Sequence, residues 1–271
     1  MNIFIAGLGV IGASYAQNLH TLGHRVFGYD PFTEAMHSLE NHGILKASTP
    51  RAMRECDLVI LAMPPRLMVP FVRTHAQHLT TGTILTDVAG VKEKTIEEIN
   101  TVVPKGVHYI SHHPMAGKEQ SGYAARDARM FDGKNVIMID EGDIDLSSAQ
   151  ILKSVLLAMG FKAPVWLSAS AHDDEIAHTS QIPHLLACAL VEGADASTPQ
   201  AAGNSFYELT RIANINAELW STLFVDNTTA LRERLRAMRD ALDRVDALLE
   251  RGDEHALSNY LKSIKNKKQS F

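Results

Sequence analysis

The chain has 271 residues, 45% hydrophobic and 21% charged, with a formal net charge of −5. Those fractions exclude disordered, collagen-like and low-complexity classes and leave enough chain for one large domain or two modest ones. The mildly acidic balance argues against nucleic acid as the main partner, and the two cysteines, Cys56 and Cys188, form neither a disulfide framework nor a CxxC motif.

The opening Met1-Asn2-Ile3-Phe4-Ile5 has no basic segment ahead of its first apolar run. No apolar run approaches the ~20 residues of a membrane span. The expectation is a cytoplasmic enzyme without a membrane partner. Short β-rich runs follow at 2–6, 25–29, 58–62, 83–86, 107–111 and 135–139, bounded by Gly, Pro or Asp. Helical patterns lie between several of them, at 10–22, 32–41, 66–78, 92–100 and 146–159. Apolar strands alternating with helices predict a parallel sheet covered on both faces.

The first strand runs directly into Gly7-Leu8-Gly9-Val10-Ile11-Gly12, a G-x-G-x-x-G sequence that opens a helix. In that context Gly7 makes the tight turn, Gly9 lets backbone approach a pyrophosphate, and Gly12 allows close helix–strand packing. The N–H groups of the first turn, including Val10 and Ile11, would receive the anion. Asp30 ends the second strand at the place of the acid that binds a ribose 2′-hydroxyl, which favours NAD over NADP; a helix-capping Asp fits the same position. Met63 and Pro64 close the third strand, where they would line the ribose and nicotinamide side as well as terminate the strand.

After residue 166 the rhythm turns helical, with segments expected at 168–192, 206–212, 217–250 and 254–265. Leu231, Leu235, Met238, Leu242, Val245 and Leu249 form a stripe spaced by three or four. The division expected is a nucleotide-binding α/β domain over 1–166 and an all-helical substrate and dimerisation domain over 167–271, with the ligand cleft between them. A stripe this long asks for a second copy of the chain, so a homodimer is expected.

Three segments carry polar residues that a fold alone does not need. His113, after a strand, suits proton transfer near neutral pH, although a hydrogen-bonded loop residue reads the same. His112 should point to the opposite side and tolerate Asn. Pro183 falls inside a helical pattern and predicts a kink beside His184, against a core helix with a wet face. Arg211 lies between apolar residues, so its burial would need either a protein acid or a substrate carboxylate. His172 and Glu175 have helical ligand spacing, but no HExxH is present and no metal is expected.

The glycine loop, Thr86-Asp87-Val88-Ala89-Gly90-Val91-Lys92, His113-Pro114-Met115-Ala116-Gly117, Ile182-Pro183-His184 and Thr210-Arg211-Ile212-Ala213 together, in this order, resemble the prephenate/arogenate dehydrogenase family of tyrosine biosynthesis. The resemblance implies a Rossmann-type nucleotide-binding domain followed by an all-α dimerisation domain, NAD as cofactor, and oxidative decarboxylation of prephenate or arogenate. It implies His113 as the catalytic histidine and Glu119 as the acid beside the substrate. His184 would be a substrate-site histidine, Arg211 the carboxylate-binding arginine, and Asp87 one of the cofactor-binding residues. Two positions depart from the family pattern: Gly90 replaces a serine, and Gln181 replaces the first histidine of S-H-L-P-H. A 3-hydroxyacid dehydrogenase is the rival, but its usual helical-domain lysine has no counterpart between Trp166 and Leu261.

Overall fold

The computed structural model describes residues 1–118, 120 and 122–270. Five parallel strands, β1 (Asn2–Ala6), β2 (Arg25–Tyr29), β3 (Leu58–Leu61), β4 (Ile84–Asp87) and β5 (His108–Tyr109), form a sheet in the order β2-β1-β3-β4-β5. Helices α1 (Val10–Thr21), α2 (Thr33–Asn41), α3 (Pro65–His75) and α4 (Glu93–Asn100) connect successive strands or follow them. The sheet places Ile3, Ile5, Leu58 and Ile60 in one core with Ala13, Ala16 and Leu19 of α1. Their neighbours Phe4, Ala6, Val59 and Leu61 fall in a second core with Met68 and Val72 of α3. Successive side chains of a strand point to opposite faces, so each four- or five-residue apolar run supplies both cores at once.

A second sheet, β6-β7-β8, joins β6 (His112–Pro114), β7 (Val136–Ile139) and β8 (Val165–Leu167). The five-stranded sheet is parallel as expected, and this second sheet adds an antiparallel pair, β6 against β7 with His113 opposite Ile137. His113 is therefore a strand residue and not a loop residue. Strand β8, across the expected boundary at 166/167, also lies outside the sequence reading. Helix α5 (Leu146–Ala158) packs Leu152, Val155 and Leu156 into the first core.

The remaining helices are α6 (Ala169–Ile176), α7 (Ile182–Glu192), α8 (Thr198–Ala201), α9 (Asn204–Thr210), α10 (Ala217–Asp226), α11 (Thr228–Glu250) and α12 (Glu254–Gln269). Between α6 and α7 lies a π-helical turn, Ala177–Gln181, so the irregularity precedes Pro183, which occupies the first turn of α7. The backbone stays helical from the turn through Gln181 into α7, so the widened turn lies where the missing Pro183 N–H would have bonded. The single helix expected over 217–250 is broken at Asn227. Its side chain turns inward, donating to the Asp173 carbonyl and to Gln181 Oε1, both at 2.8 Å.

The α/β part and the helices meet at Lys92, which is fully buried. Its ammonium donates to Asp87 Oδ1 at 2.8 Å and to the His112 carbonyl at 2.7 Å, while its backbone N–H donates to Asp173 Oδ1 at 2.8 Å. Burial pushes the Asp87 carboxyl up, but the Lys92 charge and hydrogen bond outweigh it and hold Asp87 below its ordinary value. Removing one partner of such a pair leaves an uncompensated buried charge, which costs roughly 3–5 kcal/mol. Lys92→Met should lose stability in that range in a urea titration; a loss under about 1 kcal/mol would show that the pair is replaceable.

Candidate active site

The glycine loop sits where β1 meets α1. Gly7 has φ +92°, and a Cβ there would lie 2.5 Å from the Ala62 carbonyl oxygen. A Cβ on Gly12 would lie 1.9 Å from the Gly7 carbonyl oxygen, so that contact excludes any side chain. Gly9 differs: a Cβ there would meet no protein atom within 4 Å, so the loop borders open space at the helix N-terminus. Gly9 caps α1 without a side-chain hydrogen bond, which leaves the first-turn N–H groups of Val10, Ile11 and Gly12 directed at that space. This is the cradle a pyrophosphate requires.

Asp30 holds the loop in place. Its Oδ2 accepts the Leu8 N–H at 2.7 Å and its Oδ1 the Phe32 N–H at 2.9 Å, tying the glycine loop to the start of α2. Each oxygen keeps a lone-pair direction, so ribose recognition and loop bracing are compatible. Met63 and Pro64 follow β3 beside Gly7, Pro64 as the cap of α3. Asp87 is different. Its carboxylate is fully enclosed, paired with Lys92 and accepting the Tyr109 hydroxyl at 2.7 Å. An enclosed carboxylate cannot touch a cofactor, so the expected cofactor contact is corrected to a brace for Lys92.

The two adjacent histidines of β6 separate by the strand's alternation. His112 is fully buried between the Tyr15 hydroxyl at 2.8 Å and Thr86 Oγ1 at 2.7 Å, and burial pushes its imidazole down to about 3. It does point away from His113, but the expected tolerance of Asn is corrected, since an Asn amide can reach the Thr86 side of the ring and would leave the Tyr15 hydroxyl unpaired in a buried site. His113 points toward the helices. Its Nδ1 lies 2.8 Å from His172 Nε2, and His172 Nδ1 lies 2.7 Å from Asp173 Oδ1. Burial, then the neighbouring His172, Lys92 and His112, push the His113 imidazole well below its ordinary 6.5.

Helix α10 links this centre to His184. A Cβ on Gly90 would lie 3.4 Å from Leu223 Cδ2 and 3.9 Å from His113 Cε1. One turn earlier on α10, Trp220 stacks on His184 with ring centroids 3.7 Å apart and planes at 31°. His184 Nδ1 is engaged by the Ser180 carbonyl at 2.8 Å, across the π-turn. Gln181 is buried, donating to the Leu223 carbonyl at 3.0 Å and accepting from Asn227. It thus braces α10 against the turn before α7.

Arg211 begins a short turn, Arg211–Ala213, that packs against α7. It is exposed, although it stands between apolar residues. Glu119 lies outside the described residues. No group of three or more metal-ligating side chains occurs among the described residues. Sequence reasoning missed the pair His172-Asp173 and the stack on Trp220; the one available signal was an adjacent His–Asp ahead of the Ile-Pro-His segment.

A family model for the prephenate dehydrogenase nucleotide-binding domain matches residues 15–165, and one for the prephenate dehydrogenase dimerization domain matches residues 168–263. The chain belongs to the prephenate dehydrogenase family. Prephenate dehydrogenase from Lactococcus lactis is 27% identical over 281 residues, covering 99% of this chain and 77% of that protein. The crystal structure of prephenate dehydrogenase from A. aeolicus with hydroxyphenyl propionate and NAD+ is 25% identical, with a TM-score of 0.90 over 100% of this chain and 98% of that one. The Synechocystis arogenate dehydrogenase structure, 24% identical with a TM-score of 0.88 over 100% and 99% of the two chains, shares the fold.

Within a prephenate dehydrogenase framework Gly90 is the departure that touches the centre. The space at its Cβ admits a side chain at ordinary contact distance. Gly90→Ser should therefore fold with its melting temperature within about 2 °C and raise kcat/KM up to about fivefold, the worth of one hydrogen bond of ~1 kcal/mol. A fall in kcat/KM measured by initial rates would show that Leu223 needs that space.

Proposed function

We propose that the chain is an NAD-dependent prephenate dehydrogenase, converting prephenate to 4-hydroxyphenylpyruvate and carbon dioxide. The observation that carries this reading is the half-buried His113 of β6, hydrogen-bonded to His172 with its imidazole held well below the ordinary value, in a chain whose glycine loop opens at the N-terminus of α1. The bound NAD+ of the similar A. aeolicus enzyme supports the cofactor, and Asp30 supports NAD over NADP because a 2′-phosphate there would meet a carboxylate. We place the nucleotide-binding domain at 1–166 and the helical domain at 167–271.

A bound nicotinamide would supply the hydride acceptor for substrate C4. His113 engages His172 through Nδ1, so Nε2 is the atom that takes the proton of the C4 hydroxyl. Loss of the ring carboxylate as carbon dioxide leaves its electron pair in the ring, which becomes aromatic, and the phenolic oxygen recovers a proton. Arg211, on the short turn packed against α7, would hold a substrate carboxylate, and His184, held by Ser180 and Trp220, would bound the same site. The family resemblance alone assigns Glu119 as the acid beside the substrate.

The test is NADH formation with prephenate and arogenate, which carries an amino group in place of the side-chain keto group. Turnover of prephenate at the higher kcat/KM is expected; arogenate preference would reassign the substrate, and no turnover of either would refute the reading. His113→Asn should retain NAD+ affinity and lose roughly 10²–10⁴ in kcat, the range of a lost general base. A variant keeping near-full kcat would remove His113 from the chemistry.

The helical half supports a homodimer. Of its stripe only Leu231 is buried within one chain, while Leu235, Leu242 and Leu249 are 37%, 57% and 60% exposed. Leu261 and Ile264 of α12 are exposed as well. A second copy seated on α11 would cover this surface by two-fold symmetry. Light scattering should give a mass of two chains, and replacing Leu235 and Leu242 together by Glu should give one chain or insoluble protein. A one-chain mass for the unsubstituted protein at micromolar concentration would contradict the dimer.

A further inference from the structure

Asp173 sits at the N-terminus of α4, where Oδ1 accepts the Lys92 N–H at 2.8 Å and Oδ2 the Glu93 N–H at 2.9 Å. Its own carbonyl accepts from Asn227, so the break between α10 and α11 fixes it from the other side. The carboxylate is buried, and both of its oxygens already act as acceptors toward backbone N–H groups. The third group at Oδ1, His172 Nδ1 at 2.7 Å, must therefore bring a hydrogen. A neutral His172 protonated at Nδ1 is bare at Nε2. That bare nitrogen lies 2.8 Å from His113 Nδ1 and must receive a hydrogen from it. His113 is then protonated at Nδ1 and bare at Nε2.

We propose that His172 and Asp173 are positioning residues that act through His113, locking its imidazole in the tautomer whose Nε2 is ready to take a proton. The proposal rests on the reading of His113 as the proton acceptor. Burial favours the neutral form of both rings, pushing His113 and His172 below the ordinary histidine value. The other charged or titratable groups around them are the Lys92–Asp87 pair, His112 on β6 and Asp173 itself. Lys92 opposes a second positive charge on either ring, and Asp173 favours one on His172. Without the acceptor at His172, His113 is free to protonate at Nε2 instead, which removes its basic lone pair from the substrate side.

Asp173 also caps α4, so its substitution mixes folding with chemistry; His172 carries the cleaner test. His172→Leu should lower kcat roughly 10²-fold with the substrate KM within about threefold, whereas His172→Gln, whose amide oxygen can accept the His113 hydrogen, should stay within about tenfold of the unsubstituted kcat. Long-range proton–nitrogen NMR on protein labelled with 15N-histidine should show His113 protonated at Nδ1, and a shift toward Nε2 protonation in His172→Leu. The proposal is overturned if His113 is protonated at Nε2 in the unsubstituted protein, or if His172→Leu keeps kcat within about threefold with an unchanged pH profile. Should His172→Leu fail to fold, the tautomer in the unsubstituted protein decides. The NMR readout needs no substrate, so the expected tautomer in a protein that turns over neither prephenate nor arogenate would sink the functional reading and leave this one standing.

Discussion

One buried ammonium organises the whole centre. Lys92 reaches the end of β4 through Asp87, the backbone of β6 through the His112 carbonyl, and α6 through the bond from its N–H to Asp173. A lone ammonium in that interior would be prohibitively costly, and the Asp87 carboxylate with its further donors Tyr109 and the Ala89 N–H makes it tolerable. The position of His113 follows, since β6 is pinned at His112 on one side and the His172 ring is held by Asp173 on the other. The pair thus serves the geometry of the active site more than it serves net stability, in keeping with the small net worth of buried ion pairs.

The family pattern is met here by a different distribution of polar side chains. Where the pattern has a histidine, Gln181 spends both ends of its amide on Leu223 and Asn227 and holds α10 close to the turn before α7. Where the pattern has a serine, Gly90 leaves room that Leu223 borders. The two departures meet at Leu223, one at its carbonyl and one at its side chain. They form one local arrangement, and a serine at 90 tests half of it.

What the amino-acid sequence made legible was set by local chemistry. The glycine loop could be read because Gly7 and Gly12 answer steric demands that no other residue meets. The first-domain strands could be read because each is an apolar run between turn residues. Strand β6 could not, since three residues ending in Pro114 show no alternation. The break at Asn227 was hidden because Asn is tolerated in a helix, and its inward bonds to Asp173 and Gln181 come from segments over 40 residues away. The spacing of His172 and Glu175 reads only as a metal-ligand pattern; the fold instead turns His172 toward His113 and Asp173 toward His172. Arg211 stands between apolar residues, yet it is exposed on a short turn whose Ile212 and Ala213 are half-buried.

The central claim is that His113 is a base kept neutral by its surroundings, and the pH dependence of kcat/KM for prephenate tests it most directly. Burial and the positive neighbourhood lower its pKa, so the basic form predominates until the pH falls well below 6.5. The account predicts a kcat/KM that is flat from about neutral pH down past 6.5 and declines only in more acidic solution. A rate that climbs through an apparent pKa at or above 7, and loses that limb in His113→Asn, would contradict it.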